Sequence, residues 1–147
     1  MTTSRQVGIV GVGLMGHGIA SSLLRAGHQV FFLEHPGNQP VDDLVAAGAT
    51  ALSSGREVAQ STEVVILCVT GSPQVEAVLF EPNGVLEGLT PGSVVVDCST
   101  ALPSSTEKVA ARVTEVGGRF MDAAMTRTPK EAAEGRLNLI VGAPKAL

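Results

Sequence analysis

The segment Gly11-Val12-Gly13-Leu14-Met15-Gly16 points most directly to chemistry. Three glycines at this spacing, after a strand and opening a helix, form a cradle for a diphosphate. Gly11 permits a tight turn. Gly13 lets bare backbone approach a pyrophosphate. Gly16 lets the helix pack closely on the sheet. The helix start adds unpaired N–H groups and a partial positive charge, and Leu14 and Met15 carry the first of them. The glycine spacing alone is weak, because the chain holds 17 glycines. Glu34 strengthens it, 18 positions after Gly16 (34 − 16). A carboxylate about 20 residues beyond the loop accepts from the 2′-OH of an adenosine ribose. It also repels a 2′-phosphate, which points to NAD in preference to NADP. His35 follows at once, and a protonated ring there would offset part of that repulsion.

Strands and helices must alternate to position these groups. Gln6 to Val10 reads as a short buried strand and Leu14 to Ala26 as a helix, with Met15, Ile19, Leu23 and Ala26 at helical spacing. Gln29 to Leu33 reads as a second strand. Val41 to Ala47 reads as a short helix closed by Gly48, followed by an extended piece at Thr50 to Leu52. Ser54-Gly55-Arg56-Glu57 fits a capping box opening another helix. Glu63 to Val69 is a strongly apolar strand. Ser72-Pro73 reads as an N-cap with proline at the first helical position, the helix running to Phe80 and a turn following at Pro82-Asn83-Gly84. Ser93 to Asp97 is a strand, and Pro103 opens a helix that ends near Gly117-Gly118. Arg119 to Asp122 is a strand, Thr128-Pro129-Lys130-Glu131 caps a short helix, and Leu137 to Val141 is the last strand. Alternation with apolar strands predicts an α/β fold: a doubly wound, mostly parallel sheet of the Rossmann type. Ligands then bind outside the carboxyl ends of the strands.

Composition narrows the function. The chain has 147 residues, 44% apolar and 16% charged, which suits one compact domain rather than a disordered chain. The formal net charge is −4 and no Lys/Arg cluster occurs, which argues against a nucleic-acid partner. No apolar run approaches the ~20 residues that span a bilayer, and the polar start Met1-Thr2-Thr3-Ser4-Arg5 does not read as a signal peptide. A cytoplasmic location is the expectation, with Cys68 and Cys98 as reduced, buried thiols. Neither cysteine has a metal-ligand spacing. No G-x-S-x-G elbow and no P-loop lysine occur. His17 reads as a surface residue and His28 as part of the turn into the second strand. Neither shows a partner for general-base work.

Several ordered motifs together resemble the β-hydroxyacid dehydrogenases, the family of 3-hydroxyisobutyrate dehydrogenase. They are Gly11 to Gly16, Gly27-His28, Asp97-Cys98-Ser99-Thr100 with Pro103, Asp122-Ala123-Ala124-Met125-Thr126, Glu134-Gly135-Arg136-Leu137 and Val141-Gly142. The likeness runs from about Val7 to Gly142. It implies an NAD-dependent hydride transfer to or from a short, anionic 3-hydroxy acid. It also implies a homo-oligomeric parent enzyme. By this resemblance Val69 and Thr70 lie along the cofactor ribose, where the family usually has Leu-Pro. Thr100 matches a threonine near the nicotinamide, and Ser99 beside it helps shape the site. Thr126 matches a substrate-binding serine that the family follows with two glycines. Here those positions are Arg127 and Thr128. A guanidinium at Arg127 can grip a carboxylate bidentately, while Thr128 suits a helix cap.

The resemblance places the family's catalytic lysine beyond Leu147, leading into a helical second domain. No catalytic residue is therefore assigned within these residues, and residues 1–147 are read as a dinucleotide-binding domain without its helical companion. Lys130 and Lys145 stand in no matching motif. A non-catalytic dinucleotide-binding module, a truncated paralogue, or a nucleotide-free scaffold of the same fold are the alternatives.

Overall fold

In the computed structural model, which describes residues 3–147, seven strands form one sheet. The elements in chain order are β1 (Gln6–Val10), α1 (Leu14–Arg25), β2 (Gln29–Leu33), α2 (Asp42–Ala46), β3 (Thr50–Leu52), α3 (Gly55–Gln60) and β4 (Val64–Leu67). Then come α4 (Ser72–Phe80), α5 (Val85–Gly88), β5 (Val94–Asp97), α6 (Pro103–Glu115), β6 (Arg119–Thr126), α7 (Pro129–Glu134) and β7 (Asn138–Gly142). The sheet order is β3-β2-β1-β4-β5-β6-β7. Only the β6–β7 pair is antiparallel. The chain starts at β1, winds outward through β2 and β3, then returns to place β4 on the other side of β1. That reversal opens a crevice at the carboxyl ends of β1 and β4, where the glycine loop leaves β1.

Short apolar strands form here because both faces of the sheet are covered. Neighbouring residues of β1 serve opposite sides. Ile9 packs with Val30, Phe32 and Leu44, and Val10 packs with Val65, Leu67, Val95 and Val109. The register of β4 on β1 (Gly8 beside Val65, Val10 beside Leu67) keeps those two faces distinct.

Several local expectations change. The buried residues of α1 are Gly16, Gly18 and Ala20, while the apolar residues at helical spacing, Met15, Ile19 and Leu23, are half-buried. Small residues are buried because α1 lies close to two backbones at once. Those are the glycine loop at Gly16 and α7 at Gly18, where a Cβ would meet Ala133 N at 2.7 Å. The box at Ser54 is shifted by one residue. Ser54 Oγ accepts from Glu57 N–H, but the Glu57 carboxylate accepts from the N–H and hydroxyl of Ser53. The cap of α4 is Gly71, with Ser72 and Pro73 inside the helix. The Ser72 hydroxyl is engaged elsewhere, accepting from Leu102 N–H at 2.8 Å. The strand at Glu63 to Val69 is shorter, running Val64–Leu67, although Cys68 N–H still donates to Val10 C=O at 2.9 Å. The strand at Arg119 to Asp122 is longer, reaching Thr126, because β7 pairs with its second half. The turn at Asn83 has a left-handed φ of 61°, and the one-turn helix α5 follows it.

Candidate dinucleotide site

At the reversal of strand order lies a cleft of about 710 Å³. It brings together Gly11, Gly13, Glu34, Val69 and Thr70 from three loops. Gly11 follows β1, Glu34 follows β2, and Val69 and Thr70 follow β4. Residues from different loops, 21 (34 − 13) to 59 (70 − 11) positions apart in the chain, thus meet because parallel strands all point their carboxyl ends here.

The glycine loop is packed tightly on one side and open on the other. Gly11 has φ +99°, and a Cβ there would stand 2.2 Å from the Cys68 carbonyl oxygen. Gly13 caps α1 in extended backbone, and a Cβ there would meet nothing within 4 Å. Among the described residues, none accepts a hydrogen bond from the N–H groups of Gly13, Leu14 and Met15. His17 N–H makes the first bond of the helix, to Gly13 C=O at 2.9 Å. Open space, free donors and a helix start fit a diphosphate. Leu14 is 64% exposed beyond this opening.

Glu34 is exposed at the rim, its N–H fixed on Leu52 C=O at 2.9 Å. His35 turns its ring inward on its own loop, where Nδ1 accepts from Gly37 N–H at 2.9 Å. His28 Nδ1 accepts from Arg5 N–H at 3.2 Å, as its place in the turn suggests. His17 differs from expectation. It is half-buried and pairs with Asp43 at 2.9 Å, tying α1 to α2. This contact holds the Asp43 carboxyl below the usual range.

The far side of the cleft is braced from beneath. Ser99 is buried, and its hydroxyl accepts from Val69 N–H at 3.0 Å. Ser99 N–H in turn donates to Asp97 Oδ1 at 2.9 Å. Asp97 is 1% exposed and stands beside Asp122 on the next strand. In the sequence Asp97 shows no role beyond its place in a motif. Its position at a strand end, two residues before a serine, was the available signal. Burial pushes the Asp97 carboxyl up, hydrogen bonds from Ser99 pull part of the way back, and Asp122 adds to the rise. The unfolded chain therefore ionises at lower pH than the folded one. Stability from this group is present in acid and lost as pH rises through the folded value. Asp97→Asn keeps an acceptor for Ser99 N–H and removes the buried charge. It is expected to be more stable than the parent at neutral pH, with the gain vanishing in acid. Urea unfolding at about pH 7 and about pH 3 measures this. A variant less stable than the parent at neutral pH contradicts it. Burial also pushes the Cys68 thiol up to about 11 and the Cys98 thiol up to about 12. Both are free.

The remaining predicted residues lie outside the cleft. Thr100 is exposed just past β5, its carbonyl 3.8 Å from where a Gly71 Cβ would stand. Thr126 ends β6 opposite Asn138. Arg127 is exposed with φ +80°, a left-handed conformation that suits the glycine implied there by the resemblance. Its guanidinium faces Asn138, whose Oδ1 accepts from Nε at 3.1 Å and Nη2 at 3.3 Å when the amide is turned toward it. Thr128 caps α7, its N–H and hydroxyl both donating to the Glu131 carboxylate. Among the described residues, no three His, Cys, Asp or Glu side chains are grouped to hold a metal ion. No helix among them is long and apolar enough to cross a membrane.

A glycine loop opening a helix at the strand-order reversal, with a carboxylate at the end of β2, is the arrangement of the dinucleotide-binding class of α/β domains. The chain belongs to the family of the NAD binding domain of 6-phosphogluconate dehydrogenase, whose model matches residues 6–147. It is 38% identical over 140 residues to the NAD-dependent L-serine dehydrogenase of Pseudomonas aeruginosa, covering 94% of this chain and 46% of that one. The crystal structure of 3-hydroxyisobutyrate dehydrogenase from Salmonella typhimurium superposes with a TM-score of 0.88 at 34% identity. That match covers 97% of this chain and 50% of that one. The structure of Psf3 in complex with NADP+ and 2-OPP gives 0.85 at 28% identity, covering 95% and 49%. The likeness to hydroxyacid dehydrogenases seen in the motifs is thus borne out. The chain spans about half the length of the curated relatives it matches.

Proposed function

We propose that this chain is the cofactor-binding part of a dehydrogenase that moves a hydride between NAD and a short, anionic 3-hydroxy acid. One observation carries the reading: Gly13, beside unpaired N–H groups, shares a cleft with Glu34. The amides of Gly13, Leu14 and Met15 hold the diphosphate, with Gly11 and Gly16 keeping the loop flat against β4 and α1. The Glu34 carboxylate accepts from the adenosine ribose. Val69 and Thr70 line the path toward the nicotinamide, and Ser99 holds that path in place through Val69 N–H. Thr100 stands near the nicotinamide ring. Thr126 and Arg127 sit at the end of β6, on the same carboxyl side of the sheet, and receive the substrate carboxylate. The bound cofactor supplies the hydride acceptor or donor. A proton must leave or join the substrate oxygen as the hydride moves. By the family resemblance that task belongs to a lysine outside these residues, so the 147 residues alone bind cofactor without turnover. A homo-oligomeric parent enzyme is part of the same proposal.

The cofactor choice rests on Glu34, the carboxylate that follows β2 at the rim of the cleft. Relatives of this fold bind either NAD or NADP by their own descriptions, so the local carboxylate decides. Calorimetric titration should show tighter binding of NADH than of NADPH. In Glu34→Gln that preference should shrink about tenfold, or ~1.4 kcal/mol. Equal affinities in the parent contradict the NAD assignment.

A further inference from the structure

The two ends of this cleft are joined by one side chain that the cofactor reading does not use. Asn38 lies in the loop between β2 and α2, half-buried against the cleft. Its Oδ1 accepts from Val12 N–H at 3.3 Å, and its Nδ2 donates to Leu33 C=O at 3.0 Å. Val12 sits between Gly11 and Gly13 of the loop, and Leu33 is the residue before Glu34. The same loop holds Val12 a second time, because Gln39 N–H donates to Val12 C=O at 2.7 Å. Both polar groups of Val12 are therefore fixed by a segment 26 residues away. The loop keeps its shape through His35, whose C=O accepts from Asn38 N–H at 3.0 Å and whose Nδ1 accepts from Gly37 N–H.

We infer that Asn38 is a positioning residue that couples the adenosine-ribose end of the site to the diphosphate end. The inference rests on the dinucleotide reading above. A planar carboxamide offers an acceptor and a donor side by side. One edge seats the glycine loop and the other seats the strand end that carries Glu34. Drawing Glu34 toward a ribose pulls on Leu33 C=O, and through the amide on Val12 N–H. The two subsites then share a single arrangement, and a ligand that fills one prepares the other. A residue that only stabilised the fold would not transmit such a signal.

Adenosine is the probe for coupling, because it carries the ribose and no phosphate. In amide NMR spectra of the parent chain, adenosine should shift both the Glu34 and the Val12 resonances. In Asn38→Ala it should shift Glu34 alone, and NADH affinity should fall about tenfold. A parent Val12 amide that ignores adenosine while Glu34 responds overturns the inference, and this needs no variant to fold. Unchanged NADH affinity in a folded Asn38→Ala also overturns it. A parent that binds neither adenosine nor NADH defeats the dinucleotide reading first and this inference with it. A parent that binds NADH without the cross-site shift defeats the inference alone.

Discussion

Gly13→Ala is expected to fold as the parent does and to bind NADH about a hundredfold more weakly, or ~2.7 kcal/mol. The backbone at Gly13 is extended, with φ −78° and ψ −161°, which any residue can adopt. A Cβ there would touch no protein atom within 4 Å. As the cap of α1 it makes no side-chain bond, so alanine costs at most about 1 kcal/mol of stability. The methyl group would instead project into the space beside the free N–H groups of α1. A diphosphate must come within about 3 Å of those donors to bond them. One methyl group is enough to hold it away. Thermal unfolding and calorimetric titration of NADH separate the two effects. Unchanged affinity would remove the diphosphate from this loop, and a collapse of stability would mean the glycine serves the fold instead.

The place of the glycine loop and of Glu34 in the fold was legible in the sequence because each depends on local facts. Gly11 to Gly16 lies between an apolar strand and a helix, and Glu34 ends the next strand. The parallel order β3-β2-β1-β4 then brings Glu34 beside Gly13 without further information. Asn38 was not legible. Pro36-Gly37-Asn38-Gln39-Pro40 reads as a plain turn, and nothing in it names Val12 as a partner. Ser99 stood out only through the family resemblance, and nothing in the sequence names its partner, the Val69 N–H 30 residues earlier.

Element errors have similar causes. The second half of β6, Ala123-Ala124-Met125-Thr126, has little β-branched character. It is a strand because β7 pairs with it, Ala123 opposite Val141 and Thr126 opposite Asn138. In α5, four residues are too few to show a helical period. In α1 the apolar spacing marked only part of the packed face: Ile19 and Leu23 pack half-buried against the core, while close backbone approach selected glycine and alanine for the fully buried positions. Periodicity reports where apolar bulk can go, and it is silent where the packing leaves no room for bulk.

Gly16→Ala tests that packing, and it should cost about 3 kcal/mol of folding stability. Its Cβ would stand 2.0 Å from the Gly11 carbonyl oxygen and 3.0 Å from the Gly11 carbonyl carbon. Both are backbone atoms, so no side chain can swing aside. Gly11 cannot retreat either, because it already sits against the Cys68 carbonyl, and its φ of +99° ties its carbonyl direction to the turn. The strain must lift the start of α1 from β1 and β4. That shift would expose Ala20 and Val12, both fully buried, and would turn the helix donors away from the cleft. Gly16→Ala should therefore lose stability and NADH affinity together, whereas Gly13→Ala loses affinity alone. Urea unfolding of the two variants beside the parent reads the contrast directly. If Gly16→Ala unfolds at the parent's midpoint, then α1 does not rest on the glycine loop at this distance.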